Sequence, residues 1–208
     1  MKPIHKKIIT PADLSSEKFR SVFRDRRDLV DTQDGIFLPL PVSFLNPLFI
    51  WYAGQFGISG TFVDAGSGDN RVLIAAAAHG FNHRIGIESD SFIFERGRKS
   101  LRAYFENAIP ATIETKNADF TSLSSYHCFL DTITTIYHFI NAESLQKLVL
   151  LLATEFPSSV RLLLMHTGTF EIPPLIRIKS ETYCMYGMEI YATVYQHPSF
   201  SRETDQKI

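Results

Sequence analysis

The stretch from Thr61 to Gly80 constrains the fold of this chain more than any other. A short apolar run ends at Ala65 and leads into two closely spaced glycines, Gly66 and Gly68, after which small residues continue to Gly80. Glycine allows a sharp turn and lets a ligand approach the main chain closely. A strand, a glycine turn and the start of a helix in this order are typical of the nucleotide-binding corner of α/β folds.

The residues around this turn indicate which ligand it takes. In the dinucleotide fingerprint a third glycine would stand at position 71, where this chain has Arg71. Asp64 stands just before the turn, and a carboxylate there favours a cationic, hydroxyl-rich ligand over a pyrophosphate. S-adenosylmethionine has a sulfonium, an ammonium and a ribose diol, and no phosphate. We therefore predict that it contacts the turn residues, which are Asp64, Ala65, Gly66, Ser67 and Gly68.

Two further groups of polar residues follow the next two predicted strands. Glu88 and Ser89 stand about 20 positions after the glycines, where an acid in nucleoside-binding folds accepts hydrogen bonds from both ribose hydroxyls. Glu88 would also repel the 2′-phosphate of NADP. Asp119 and Phe120 follow the third strand, and we expect the carboxylate to accept from the adenine amino group and the ring to pack on the base. Because parallel strands end at one edge, these residues should form one cofactor site.

Strand and helix patterns alternate through most of the chain. Apolar strands are predicted near residues 61–65, 84–87, 111–116, 132–137 and 161–166, and the segments between them favour helices. This order indicates a parallel sheet. Residues 175–185 and 188–196 are rich in β-formers and only Tyr186 and Gly187 separate them, which predicts a hairpin. The predicted fold class is therefore a doubly wound, mostly parallel seven-stranded α/β sheet with a C-terminal antiparallel hairpin.

The residues before the first strand are predicted to form an N-terminal helical extension. Thr10 and Pro11 favour a helix start, and apolar residues recur at helical spacing to about residue 29. Residues 37–41 contain Pro39 and Pro41 and should be extended. We predict that residues 1–42 form a helix and an extended lid that brings Phe37 and Pro39 to the cofactor, and that residues 43–208 form the α/β domain.

Candidate catalytic residues stand at the end of the fourth parallel strand. In a doubly wound fold this position faces the acceptor of a transferred group. His138 is a candidate general base, and Tyr137 is a candidate for positioning the nucleophile. A tyrosine and a histidine at a strand end are also common in packing, so a structural role is the alternative.

Composition limits the remaining classes of function. The net charge of −1 gives no general sign of binding to nucleic acid or to an anionic membrane. Neither Cys128 nor Cys184 belongs to a CxxC pair, so no metal site is expected. Their apolar and aromatic neighbours predict buried thiols, which fit a reducing compartment. With no apolar leader after Met1 and with prolines interrupting the apolar residues 36–54, we predict a cytoplasmic protein with no membrane partner. The sequence does not indicate an oligomeric state.

Three motifs together resemble those of the seven-strand, class I S-adenosylmethionine-dependent methyltransferases, over roughly residues 37–188. Val63-Asp-Ala-Gly-Ser-Gly-Asp69 is similar to the first motif of that family, and Gly86-Ile-Glu88 and Ala118-Asp-Phe120 follow in the expected order. The first motif, the small residues after Arg71 and the upstream Leu38-Pro-Leu-Pro41 are also similar to the seven-strand protein-lysine methyltransferases. Asn70 stands where the family usually has a glycine, and its side chain would narrow the pocket for the methionine moiety.

The resemblance implies methyl transfer from S-adenosylmethionine by in-line displacement, with most of the acceleration coming from alignment. A nitrogen of a protein, such as a lysine amine, or of a small molecule is the expected acceptor. A nucleic-acid acceptor is not favoured, because the fourth strand lacks Asn-Pro-Pro-Tyr. One alternative is an NAD-dependent oxidoreductase, against which Arg71 and the terminal hairpin count. The other is a non-catalytic binding protein on the same fold, since no obvious catalytic acid or base is present.

Overall fold

Strands and helices alternate within the residues that the computed structural model describes, namely 9–23, 30–32, 35–37, 39–139, 142–168, 171–185 and 187–199. The strands are β1 (Val30–Thr32), β2 (Gly35–Phe37), β3 (Thr61–Ala65), β4 (His83–Glu88), β5 (Ile113–Asn117), β6 (Ile133–Phe139), β7 (Arg161–Thr167), β8 (Ile176–Met185) and β9 (Met188–Gln196). The α-helices are α1 (Glu17–Val22), α2 (Val42–Phe56), α3 (Arg71–Ala78), α4 (Ser91–Phe105) and α5 (Ala142–Glu155).

Seven of these strands form one sheet in the order β5-β4-β3-β6-β7-β9-β8, while β1 and β2 pair separately. Strands β3 to β7 are parallel, and β9 runs antiparallel to both β7 and β8. The predicted fold class and the predicted C-terminal hairpin are therefore confirmed. Because β4 and β6 flank β3, the carboxyl ends of β3 and β6 lie at the topological switch point, where ligands bind in such folds.

Each face of the sheet is covered by its own apolar core. On one face, Phe62 of β3 and Leu73 of α3 belong to a cluster with residues of α2, α4 and the N-terminal extension. On the other face, Val63 of β3 and Leu148 of α5 belong to a second cluster. Burying each large apolar side chain stabilises the fold by about 1.5–3 kcal/mol. Neighbouring residues of β3 thus anchor the strand from both sides and hold its carboxyl end in place.

The N-terminal extension differs from its prediction. A 3₁₀ turn covers Pro11–Ser15, Ser16 is extended with ψ of 152°, and only then does α1 begin. The Ser16 hydroxyl accepts a hydrogen bond from the backbone N–H of Phe19 and so caps a new helix. The prediction of one continuous helix from residue 11 to residue 29 is therefore wrong, because Ser16 ends one helix and starts another. Residues 24–29 lie outside the described residues.

The extension is packed against the α/β domain by its apolar side chains. Phe19 and Phe23 are buried and contact the ring of Tyr104 on α4, with ring centroids 5.6 and 6.1 Å from it. Ile9 and Leu14 are buried in the same cluster. The described part of the extension therefore contributes to the core of the domain.

The two cysteines are exposed, so the prediction of buried thiols is wrong. Cys184 lies on β8, an edge strand of the sheet, between Tyr183 and the buried Met185. Because side chains alternate between the faces of a strand, apolar sequence neighbours do not bury the residue between them. None of the helices in the described ranges combines the length and the apolar character needed to cross a membrane.

Candidate functional site

The glycine turn after β3 is bound to the end of β4 by main-chain hydrogen bonds. Gly66 and Gly68 have φ of +84° and +54°, a region that favours glycine. The N–H groups of Gly66 and Ser67 donate to the carbonyl oxygen of Ile87 at 2.9 and 3.0 Å. The turn is thereby fixed at the switch point of the sheet.

Glu88 holds this turn with its side chain. One carboxylate oxygen, Oε2, accepts from the N–H of Gly68 at 2.9 Å, and Oε1 accepts from the N–H of Asp90 at 3.1 Å. Both bonds are charge-assisted, and Glu88 is buried. A carboxylate bound to the turn at the end of β4 suits the hydroxyls of a ribose.

Asp64 and Tyr137 form a buried polar pair on one face of the sheet. They are cross-strand partners on β3 and β6, and both are almost fully buried. Asp64 Oδ2 has no hydrogen-bond partner among the described residues, and the same holds for the Tyr137 hydroxyl within that part of the chain. Burial, followed by the charges of Glu88 and Asp69, holds the pKa of Asp64 well above its ordinary value. A buried carboxylate oxygen without a partner in the described residues suits the ammonium group of a ligand.

The space above Gly66 is bounded by two rings. A Cβ on Gly66 would lie 3.7 Å from Phe120 Cε1 and 3.9 Å from His138 Nδ1. His138 Nδ1 donates to the carbonyl oxygen of Ala65 at 2.7 Å, and the ring is buried. His138 therefore contacts the turn directly and helps to shape it.

Tyr137 and His138 are consecutive on β6 and project to opposite faces of the sheet. Tyr137 belongs to the core with Phe62, whereas His138 contacts Phe120 of the other core. The structure therefore does not bring the two candidate catalytic side chains together, and only His138 borders the glycine turn.

The other predicted cofactor residues lie around the same edge. Asp119 is exposed, and its Oδ1 accepts from both the N–H and the hydroxyl of Thr121 at 2.7 Å. The Asn117 amide donates to the carbonyl oxygens of Glu88 and Ser89 at 2.8 and 3.1 Å, which joins the ends of β4 and β5. Pro39 is partly exposed, and Phe37 belongs to β2 with a side chain outside the described residues. Their contacts with a cofactor stay predictions.

The side chain of Asn70 lies in a slot that two glycines leave open. Asn70 has a left-handed backbone with φ of 67° and is buried. A Cβ on Gly86 of β4 would lie 2.8 Å from its Oδ1, and a Cβ on Gly97 of α4 would lie 2.4 Å from its Nδ2. The amide thus fills the β4–α4 interface and does not project from the turn. Gly97 was not among the predicted site residues, because its only signal in the sequence is a glycine within a helix.

A cavity of about 580 Å³ lies between the N-terminal extension and the start of α2. Its lining includes Leu14, Phe23, Val42 and Asn46 and contains none of the predicted site residues. The candidate cofactor site therefore rests on the geometry of the sheet edge and not on this cavity.

Comparisons with known proteins identify solved structures with a similar fold. No protein-family model and no curated protein sequence matches the chain. An RNA methyltransferase from Salinibacter ruber in complex with S-adenosyl-L-homocysteine is 20% identical, with a TM-score of 0.57 over 77% of this chain and 94% of that one. The rRNA methyltransferase aviRa from Streptomyces viridochromogenes is 12% identical, with a TM-score of 0.63 over 91% and 94%. The N-methyltransferase NodS from Bradyrhizobium japonicum is 8% identical, with a TM-score of 0.56 over 75% and 95%.

The strand order separates this fold from the dinucleotide-binding one. In the classic dinucleotide fold six parallel strands follow the order 3-2-1-4-5-6, whereas here the antiparallel β9 stands between β7 and β8. The motifs, the strand order and the similar solved structures all indicate the same fold. The chain has the fold of the class I S-adenosylmethionine-dependent methyltransferases.

Proposed function

We propose that this protein is an S-adenosylmethionine-dependent methyltransferase whose acceptor is a nitrogen of a protein, such as a lysine amine, or of a small molecule. The observation that carries the proposal is the pair of carboxylates beside the glycine turn. Glu88 binds the turn through Gly68, and Asp64 keeps an orphaned oxygen buried next to it. Pairs of acids at neighbouring strand ends suit a ligand that has a diol and cationic groups.

Residues of the chain have distinct roles in holding the cofactor. Glu88 accepts from the ribose hydroxyls, and Asp64 receives the ammonium group. Asp119 and Phe120 border the adenine, and the backbone at Gly66 allows close approach because no side chain fills the space between the two rings. The desolvation of Asp64 is then compensated by a cation, which a buried carboxylate requires in order to be charged.

The bound cofactor would supply an electrophilic methyl group on a sulfonium. The protein has to align the acceptor nitrogen with it and remove a proton when the acceptor is an ammonium. Since Nδ1 of His138 donates to Ala65, the lone pair of the neutral ring is on Nε2, and this nitrogen is the base we propose. Tyr137 is buried beside Asp64, so we propose that it supports the site from within the core.

The proposed lid comprises residues 1–42. In its described part Leu40 and Val42 are buried, so the end of this segment packs on the domain.

RNA is the second candidate acceptor, since two of the similar solved structures are RNA methyltransferases. The net charge of −1 gives less support to RNA, because binding to phosphates depends on clustered cations.

Two experiments test the proposal. Calorimetry with S-adenosylhomocysteine and with NAD shows which of the two binds to the protein. Binding of NAD alone would support the oxidoreductase alternative. Incubation with methyl-labelled S-adenosylmethionine and separate fractions of protein, small amines and RNA then identifies the acceptor. Label in RNA alone would contradict the proposed protein or small-molecule acceptor and leave the methyltransferase activity in place. Binding without label transfer to any fraction would support the non-catalytic alternative.

A further inference from the structure

We infer that Arg71 is a positioning residue that ties the upstream segment, residues 39–41, to the glycine turn. The inference rests on the proposed function, because the turn is the proposed cofactor site. Its importance lies in coupling two parts of the chain that are about 30 positions apart.

The guanidinium of Arg71 is shared between the turn and the segment. It is 3% exposed, and its Nε donates to both carboxylate oxygens of Asp69 at 3.0 Å. One terminal nitrogen, Nη2, donates to Asp69 Oδ2 at 2.7 Å, and the other, Nη1, donates to the carbonyl oxygen of Leu40 at 2.9 Å. One side chain thus bridges the residue after Gly68 and the segment that precedes α2.

This arrangement needs an arginine. A buried cation requires a charged partner and further hydrogen bonds to offset the loss of hydration. The planar guanidinium can donate hydrogen bonds to a carboxylate along one edge and to a carbonyl oxygen along another. The ammonium of a lysine has all its donors on one nitrogen and cannot reach both acceptors in this way. A lysine at position 71 is therefore expected to keep the charge and lose the bridge.

The Leu40 carbonyl is held in place for this bond. The residue before a proline is biased toward extended backbone, and Leu40 precedes Pro41. The Leu40 side chain is 2% exposed, so the segment is anchored in the core at the same point. The acceptor for Arg71 is thus presented by a rigid, buried stretch.

The bridge continues into the site through contiguous contacts. Glu88 binds the N–H of Gly68, Asp69 follows Gly68, and Arg71 joins Asp69 to Leu40. A ligand that orders the turn should therefore also order residues 39–41. Conversely, loosening this segment should lower the affinity of the turn for the ligand.

The test compares Arg71→Lys with Arg98→Lys. Arg98 lies on the surface of α4, paired with Glu95 and over the ring of Phe94, so its replacement makes the same chemical change away from the site. Calorimetry measures the Kd of S-adenosylhomocysteine. Hydrogen exchange in the peptide covering residues 39–45 is followed with and without this ligand, and it reports on Leu40 and residues 42–45 because Pro39 and Pro41 have no N–H. We expect the wild type and Arg98→Lys to bind alike and to show slower exchange in the peptide when bound. Arg71→Lys should bind about tenfold more weakly and lose the ligand-dependent protection.

A second variant covers the case in which Arg71→Lys does not fold. Asp69→Asn keeps Arg71 and removes the charge of its partner in the turn. Exchange of residues 39–45 should still become faster, and because residue 69 lies outside this peptide, the increase would report the loss of the link through Arg71. Exchange in α5, on the other face of the sheet, reports whether the fold is intact. Equal affinity and equal protection in Arg71→Lys and the wild type would overturn the inference and leave the proposed function standing. Absence of binding to the wild type would instead overturn the proposed function.

Discussion

The side-chain amide of Asn70 packs against Gly97, where only a glycine leaves room for it: a Cβ on Gly97 would lie 2.4 Å from Nδ2 of Asn70. The same Cβ would lie 2.4 Å from the carbonyl oxygen of Gly68. Helix α4 is therefore seated directly against the glycine turn. The position of the turn depends on a glycine that lies in another element, about 27 positions further along the chain.

Gly97→Ala should displace the turn. The added methyl group meets the backbone of Gly68, which cannot rotate away, so we expect a loss of about 1–3 kcal/mol in the free energy of unfolding. Affinity for S-adenosylhomocysteine should fall as well, because the turn moves. Gly54→Ala in α2 is the control, since nothing lies within 4 Å of its Cβ and alanine should stabilise the helix by about 0.4–1 kcal/mol. Urea unfolding and calorimetry measure both effects, and unchanged values in Gly97→Ala would refute the contact.

Glu88→Ala should weaken cofactor binding by about 1.5–3 kcal/mol, because the hydrogen bonds to a charged acceptor are lost. The turn also loses the partner of the Gly68 N–H. Glu95→Ala removes an acid from the exposed face of α4, where it pairs only with Arg98 among the contacts described, and should bind normally. Gly66→Val should abolish binding, because its side chain fills the space between the two rings and strains the backbone at a φ of +84°. Normal affinity in both site variants, measured by calorimetry, would contradict the proposed cofactor site.

Asp64→Asn should remove a dependence of stability on pH. The pKa of Asp64 is raised above its ordinary value of 3.8, chiefly by burial, so the folded protein binds its proton more tightly than the unfolded chain does. Its stabilising contribution is present below the ordinary value and is lost as pH rises through the raised pKa, with a slope of at most about 1.4 kcal/mol per pH unit. The wild type should therefore lose stability relative to Asp64→Asn over this window. Urea titrations at several pH values measure the free energy of unfolding of both proteins. If it depends on pH in the same way in the wild type and in Asp64→Asn, burial of Asp64 has no such effect.

Ligand affinity should have the opposite dependence on pH. An ammonium beside Asp64 stabilises the ionised carboxylate, so the affinity of the wild type for S-adenosylhomocysteine should rise as pH rises toward the raised pKa, with release of a proton on binding. Calorimetry in buffers of different ionisation enthalpy measures this release. Asp64→Asn should bind more weakly and release no proton at this site. Equal proton release in the two proteins would place the ammonium elsewhere.

His138→Asn and His138→Ala should separate two roles of one residue. The asparagine amide can still donate to the Ala65 carbonyl in place of Nδ1, so it should preserve cofactor affinity. Loss of the base should reduce turnover on an amine acceptor roughly 100- to 10,000-fold. His138→Ala loses both functions and should also bind the cofactor less tightly. Full turnover of His138→Asn on an identified amine would leave alignment alone as the source of the rate.

Much of the fold followed from local patterns. The alternation of strands and helices, the glycine turn at Gly66 and the hairpin around Gly187 are encoded in short stretches, where periodicity and turn residues act over a few positions. The carboxyl ends of parallel strands share one edge, so the sequence alone predicts that Asp64, Glu88 and Asp119 lie in one region. The break at Ser16 and the exposure of Cys184 did not follow, since a capping hydrogen bond and the place of a strand in a sheet override local propensity.

What the sequence by itself determined is therefore the order of elements and the edge at which the candidate site lies, because both depend on residues close together in the chain. Only the tertiary structure decided how that site is held. The Asn70 amide between Gly86 and Gly97, the bond from Arg71 to Leu40 and the orphaned oxygen of Asp64 all depend on atoms that distant segments bring together. Side-chain packing and burial arise from these long-range contacts, and no local pattern in the chain specifies them.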